Sequence, residues 1–291
     1  MFVRSMRVPL ASLGVLLCFA APSLRATDDP REILRRALRV NAHNHELERA
    51  YTYVERDEQR TLDAAGAVKH RESMTWDVVP LRGESHYRRL IQRDDKPLSP
   101  QEEQKRQAIR QRQEAARQKT EELRAKEAPE QRQKRLDDKE RAHQRQQREI
   151  DDVVDGLDLR LAGEEQIDGG PVWVVEGAPR PGYKFQSNDL ARVLGKMKGR
   201  VWVAKSDYQP VRIDAETTGT ISFGAILARI NKGMRVHVEY TYVNGEVWLP
   251  KSMTFSVSGR IALFKGIHME GDSAFSNYKK FSVDSRIASN N

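Results

Sequence analysis

The chain has one cysteine in 291 residues. It can therefore form no internal disulfide and no cysteine-based zinc site. It has no apolar run long enough for a multispan membrane protein. Gly-x-Ser-x-Gly, His-Glu-x-x-His and the P-loop pattern are all missing, so no marked hydrolase, zincin or nucleotide site is legible. An excess of basic over acidic residues is present, 50 against 42, for a formal charge of +8. At face value this favours nucleic acid or an anionic surface.

The distribution of that charge changes its meaning. Residues 1–26 hold three arginines and no acid. Arg4 and Arg7 precede the apolar stretch Val8–Ala21, the pattern of a cleaved export signal ending near Ala26. The single cysteine, Cys18, would leave with it. Residues 101–149 hold 15 basic and 11 acidic side chains, so they carry +4. The rest of the chain is left with +1, and a nucleic-acid partner is not expected.

The 101–149 segment is an insertion of low complexity. Gln, Glu, Asp, Lys and Arg fill 37 of its 49 positions, and it lacks Gly, Val and aromatics. These are mostly good helix formers. Ser99-Pro100-Gln101-Glu102 reads as a capping box, and Pro129 should divide the helix in two. A solvated helical hairpin or arm is expected, with an envelope protein or anionic membrane as possible partner.

On either side of the insertion the pattern is β. Asp29-Pro30 with Glu32 starts a helix whose apolar face is Ile33, Leu34, Ala37 and Leu38. Tyr51–Leu62 and Ala67–Val79 flank a turn at Ala65-Gly66, and Glu84–Gln92 follows. After the insertion come Leu157–Leu161, Pro171–Glu176, Arg200–Ala204, Gln209–Thr218, Met234–Val243, Glu246–Ser258, Ile261–Gly271 and Ser273–Asp284. Asp189–Lys196 is read as a short helix and Ile221–Ile230 as a further helical candidate. With no helix between most successive strands, the sheet is antiparallel. The expected fold is α+β: a long curved antiparallel sheet, or half-barrel, capped by a few helices and carrying a long charged helical insertion. Residues 27–100 supply the N-terminal helix and first strands, and 150–291 the remaining strands of the same sheet.

Asn244-Gly245 is a two-residue type I′ hairpin signal. It predicts Val243 opposite Glu246, Tyr242 opposite Val247, Tyr240 opposite Leu249, Val238 opposite Lys251 and Val236 opposite Met253. One face then gathers Val236, Val238, Tyr240, Tyr242, Val247, Leu249, Met253 and Phe255, with Lys251 as its one charge. This is the expected lining of an apolar concavity. Helices or a lipid acyl chain would fill it, with Lys251 at the rim or meeting a head group.

Gly199-Arg200-Val201-Trp202-Val203, then Gln209-Pro210-Val211-Arg212, and later Gly245-Glu246-Val247-Trp248-Leu249-Pro250, resemble the strands of the periplasmic lipoprotein-carrier superfamily. That superfamily includes the outer-membrane lipoprotein carrier, its receptor and a related envelope-stress regulator. The resemblance covers roughly 30–95 and 157–285. It implies an exported, non-enzymatic protein whose half-barrel binds a lipid or lipoprotein acyl chain. The insertion departs from the pattern.

Other clusters read as structural. His45 and Glu48 share a helical face but His43 does not. Asp151 and Asp155 stand one turn apart beside Val153 and Val154, and Glu164 and Glu165 point apart on a strand. No metal, cofactor or catalytic residue is expected, with hydrolysis through an unmarked site as the least favoured alternative.

Overall fold

A computed structural model describes residues 28–81, 84–105, 107–108, 119, 122, 126–186, 193–223, 228–261 and 265–280. The segment read as an export signal, most of 106–125 and residues 189–192 of the expected short helix lie outside the described residues. Two long helices and thirteen strands are described. Helix α1 is Pro30–Glu48, and α2 is Pro129–Asp155. The strands are β1 (Tyr51–Leu62), β2 (Val68–Leu81), β3 (Glu84–Arg93), β4 (Lys96–Pro97), β5 (Leu157–Ile167), β6 (Gly170–Pro179), β7 (Met197–Ala204), β8 (Pro210–Thr217), β9 (Ile221–Phe223), β10 (Ala228–Ile230), β11 (Arg235–Val243), β12 (Val247–Ile261) and β13 (Lys265–Lys280).

All thirteen strands belong to one antiparallel sheet, in the order β4-β3-β2-β1-β13-β12-β11-β8-β7-β6-β5. β9 and β10 branch from β12. The last strand pairs with the first, so segments on both sides of the insertion share one surface. The fold is the long, curved, helix-capped sheet expected.

Two local readings change. Ile221–Ile230 is not a helix: its ends form β9 and β10, which pair with each other, and β10 also pairs with β12. Ile221, Phe223 and Ile230 are residue types that suit a pleated surface. Gly271-Asp272 is not a turn but the middle of the 16-residue β13. Gly271 pairs with Phe255, and a Cβ there would stand 2.2 Å from the Phe255 ring. The glycine marks a close approach rather than a chain reversal.

Helix α1 begins where Asp29 caps it, its carboxylate accepting from the Arg31 N–H at 2.9 Å. Ile33 and Ala37 pack on Trp173, Val175 and Val203 of β6 and β7. Farther along, the Asn44 side chain exchanges two hydrogen bonds with the Trp248 backbone, at 2.5 and 3.2 Å. Ser99 and Glu102 form the expected capping box, and α2 begins at Pro129. Most of α2 is exposed; its last turns are not. Val154 is buried, and Asp152 accepts from Tyr183 Oη and the Gln186 N–H, each at 2.9 Å. Arg35 reaches Asp151 at 3.1 Å and Arg31 reaches Asp155 at 3.6 Å, so the arm's root is tied to α1.

Register assigns every side chain a face, because directly paired residues point the same way and neighbours along a strand alternate. One row runs Leu161, Val175, Val201, Ile213, Val238, Met253 and Ser273, ending on Asp57 of β1. It belongs to the face that α1 covers. The adjacent row runs Arg160, Glu176, Arg200, Asp214, His237, Thr254, Asp272 and Glu58, on the opposite face.

Candidate functional site

The Asn244-Gly245 turn forms with both residues at positive φ, 53° and 70°, and the Glu246 N–H donates to the Val243 carbonyl at 3.1 Å. The predicted register beyond it does not hold. Val243 pairs with Val247, Tyr242 with Trp248, Thr241 with Leu249 and Tyr240 with Pro250. The register then shifts, so that Glu239 pairs with Ser252, Val238 with Met253 and Val236 with Phe255. Pro250 has no N–H to give the ladder, and a bulge is where a sheet interior accommodates proline. Lys251 is the extra residue of that bulge.

The predicted lining is therefore divided. Val236, Val238, Met253 and Phe255 remain together on the α1 face and are half-buried, as is Tyr240. Tyr242 is 49% exposed. Val247 and Leu249 side with Val243 and Thr241 instead, and they are buried with Tyr51 in a closed cluster. Lys251 is not on the apolar face. Its Nζ lies 3.7 Å from Glu239, whose ladder partner is Arg212.

Next to the half-buried row the α1 face becomes polar. Arg88 of β3 lies 2.9 Å from Glu55 and 2.8 Å from Asp57 of β1, with its guanidinium over the Trp76 ring at 4.6 Å. Asp57 also accepts from Trp76 Nε1 at 3.0 Å and from Ser273 Oγ at 2.7 Å. Burial, reinforced by Asp57, pushes the Glu55 carboxyl up to about 7 despite Arg88. Tyr53 makes tilted ring contacts with Phe275 and Tyr278, at centroid distances of 6.0 and 5.3 Å. Burial raises the Tyr53, Tyr240 and Tyr278 hydroxyls, and the Glu48 carboxylate at the end of α1 adds to each. Sequence reading missed this cluster because its members come from four strands. Its one local trace is Tyr53, Glu55 and Asp57 alternating on the face of β1.

A cleft of about 840 Å³ lies on the opposite face. Its walls are the charged row from Arg160 to Asp272 and the next row, which includes Lys198, Glu216, Arg235 and Glu270. Its floor is the backbone between those rows, at Gly177, Gly199 and Ala215. Of the predicted lining, only Val236 and Phe255 border it. Charges of opposite sign alternate across its strands. Glu176 is held between Arg160 and Arg200, and Asp214 pairs with His237. Arg60 reaches Asp272 at 2.5 Å and Glu58 at 2.9 Å. Hydrogen bonding, from Arg200 on Glu176 and from Arg71 and Arg60 on Glu58, lowers both carboxylates below the usual range. This cleft is a charged trough rather than an apolar hollow.

His45 Nδ1 lies 2.9 Å from Glu48, and His43 Nδ1 3.6 Å from Glu46, so the two histidines have separate partners. Asp151 and Asp155 face the α1 arginines. Among the described residues no group of three or more His, Cys, Asp or Glu is placed to hold a metal ion. No helix among them is long and apolar enough to cross a membrane.

No family model and no curated protein matches the chain. Solved structures do. A domain from Vibrio parahaemolyticus assigned to outer-membrane lipoprotein sorting is 10% identical, over 87% of this chain and 96% of that one, with a TM-score of 0.34. A DUF1329 family protein from Desulfovibrio piger is 14% identical over 88% and 95%, TM-score 0.29. A LolA superfamily protein from Nitrosomonas europaea is 12% identical over 89% and 96%, TM-score 0.26. All three superpose loosely, and the functional reading rests on the chain's own geometry.

Proposed function

We propose that this chain is an exported, non-enzymatic binding protein that holds a lipid or lipoprotein acyl chain against the α1 face of its sheet. One observation carries the reading. Under α1, Trp173, Val175 and Val203 are buried, whereas farther along the same face Val236, Val238, Tyr240, Met253 and Phe255 stay half-open. An apolar row left unfinished by its own helix is completed by an apolar ligand, at about 0.8 kcal/mol per buried methylene. The polar cluster around Arg88 closes one end of the row and suits the ester or head-group end of such a ligand. The carrier resemblance of the sequence and the basic-then-apolar N-terminus agree with export and with this cargo.

The test is native mass spectrometry of the purified protein together with uptake of a fluorescent fatty-acyl probe. Co-purifying lipid and saturable uptake are expected, with uptake lost in Val238→Asp and retained in Lys198→Ala on the opposite face. A lipid-free protein that takes up no probe overturns the reading. A second reading, a structural or sensory envelope protein acting through residues 101–149, is favoured by the ion pairs that tie the arm's root to α1. Deleting 101–149 separates the two, because acyl uptake survives the deletion under the first and partner binding is lost under the second.

A further inference from the structure

The charged trough and the exposed side of α2 carry matching patterns. The trough crosses eight adjacent strands, from β5 to β1. At about 4.8 Å per step that is about 34 Å. Helix α2 has 27 residues, about 40 Å at the helical rise. From β5 inward the trough's row reads Arg160, Glu176, Arg200, Asp214, His237 and, two strands on, Asp272. Its signs are plus, minus, plus, minus, histidine, minus.

On α2, Glu130, Lys134, Asp137, Arg141, Gln144 and Arg148 are all exposed. Their spacing of four, three, four, three and four residues sets them on one stripe. Its signs are minus, plus, minus, plus, neutral, plus. Measured from Glu130, the stripe's stations fall at about 6, 10.5, 16.5, 21 and 27 Å. Measured from Arg160, the trough's fall at about 5, 10, 14, 19 and 29 Å. Laid across the strands with Glu130 over β5, the helix brings opposite charge to every charged station; reversed, it does not. The root of α2 is fixed on the α1 side of the sheet by Arg35–Asp151 and by buried Val154, while the trough opens on the other side.

We infer that α2 of one chain lies in the charged trough of a second copy, so that the insertion is a self-association element. Glu176 and its neighbours already have lateral partners, and the helix supplies a second partner from above. Exposed pairs of this kind are individually weak and are screened by salt. Association therefore depends on several pairs in register. This inference is independent of acyl-chain binding, since it uses the other face.

Sedimentation velocity of the full chain tests it. Dimers are expected at about 20 mM salt and monomers at about 500 mM, where the Debye length falls to a few ångströms. The arm variant K134E/R141E and the trough variant E176Q/D214N should each lose association at low salt, by tenfold or more, with an unchanged far-ultraviolet circular dichroism spectrum. Mixing the two should restore a dimer, because the intact trough of one receives the intact arm of the other. A wild-type monomer at low salt overturns the inference. So does a dimer indifferent to K134E/R141E, or a mixture that stays monomeric.

Discussion

Two adjacent rows of this sheet, one on each face, are built from the same strands and treat their side chains in opposite ways. On the α1 face, Trp173, Val175 and Val203 are buried under a helix. One residue along, on the other face, Glu176 and Arg200 stand in an open ladder of charges. The carboxylates record the contrast. On the α1 face burial raises Glu55 to about 7. On the trough face arginine hydrogen bonds lower Glu58 and Glu176. Burial alone would raise Glu239, but Lys251, Arg212 and His237 outweigh it and hold it low. Thus stability on the α1 face comes from removing apolar surface from water; the other face has a buried cluster of its own at Val172, Val174 and Trp202, and the trough beside it is a lattice of charges whose exposed pairs each count for little.

The largest effect should come from emptying a closed apolar cluster. Leu249 is fully buried against Tyr51 and Val247. Leu249→Ala should cost about 3 kcal/mol through lost transfer energy and an unfilled cavity. The check is the denaturant midpoint at unchanged m-value. A cost below about 1 kcal/mol would mean that the cluster collapses around the gap and is not a closed core.

Much of this contrast was legible from alternation, and the rest was not, for identifiable reasons. The capping signals at Asp29-Pro30 and Ser99-Glu102 and the helix start at Pro129 are short-range chemistry, and each forms as read; a turn forms at Asn244-Gly245 too, but Glu246 joins its loop. The register of β11 against β12 is already one residue off at the turn, where Val243 pairs with Val247 rather than Glu246, and it shifts again at Pro250, which lacks the donor that a regular ladder needs. The shift at the turn separates Val247 and Leu249 from Tyr240 and Tyr242, and the bulge takes Lys251 off the apolar face. Gly271 reads as a turn residue, yet it serves the Phe255 ring from the neighbouring strand. The Glu55–Asp57–Arg88–Trp76 cluster and the trough are assembled from strands distant in sequence, and only strand order brings them together.

The intermediate effect is on pH dependence, and it sharpens the contrast between faces. Glu55 binds its proton more tightly in the folded protein than the ordinary value of 4.5, up to about 7. Its contribution to stability is therefore fully present below pH 4.5 and is lost as pH rises to about 7. The groups facing it are Asp57 on its own strand, Arg88 of β3 and the Tyr53, Tyr278 and Glu48 cluster. Glu58 and Glu176 behave oppositely: their contribution is present above pH 4.5 and is lost as the pH falls through their lowered values. Denaturation midpoints measured at pH 5 and pH 8 should show a fall for the wild type that is smaller in Glu55→Gln. An identical pH dependence in the two proteins would place Glu55 with the solvated carboxylates.

The smallest effect should come from Arg235, which makes the neatest control because its neighbour Val236 points to the other face. Arg235 is exposed, and its ladder partners are Glu216 and Ser256. In a solvated lattice the removal of one such charge leaves no buried group without a partner, and water replaces whatever attraction is lost. Arg235→Ala should therefore change stability by no more than about 0.5 kcal/mol, in either direction. Val236→Ala removes two half-buried methyls and should cost about 1 kcal/mol, measured in the same denaturant series. If Arg235→Ala proves the costlier of the two, the trough's charges are not acting as a solvated lattice. Its pairs would then be interlocked, with each ion holding its neighbours in place across several strands.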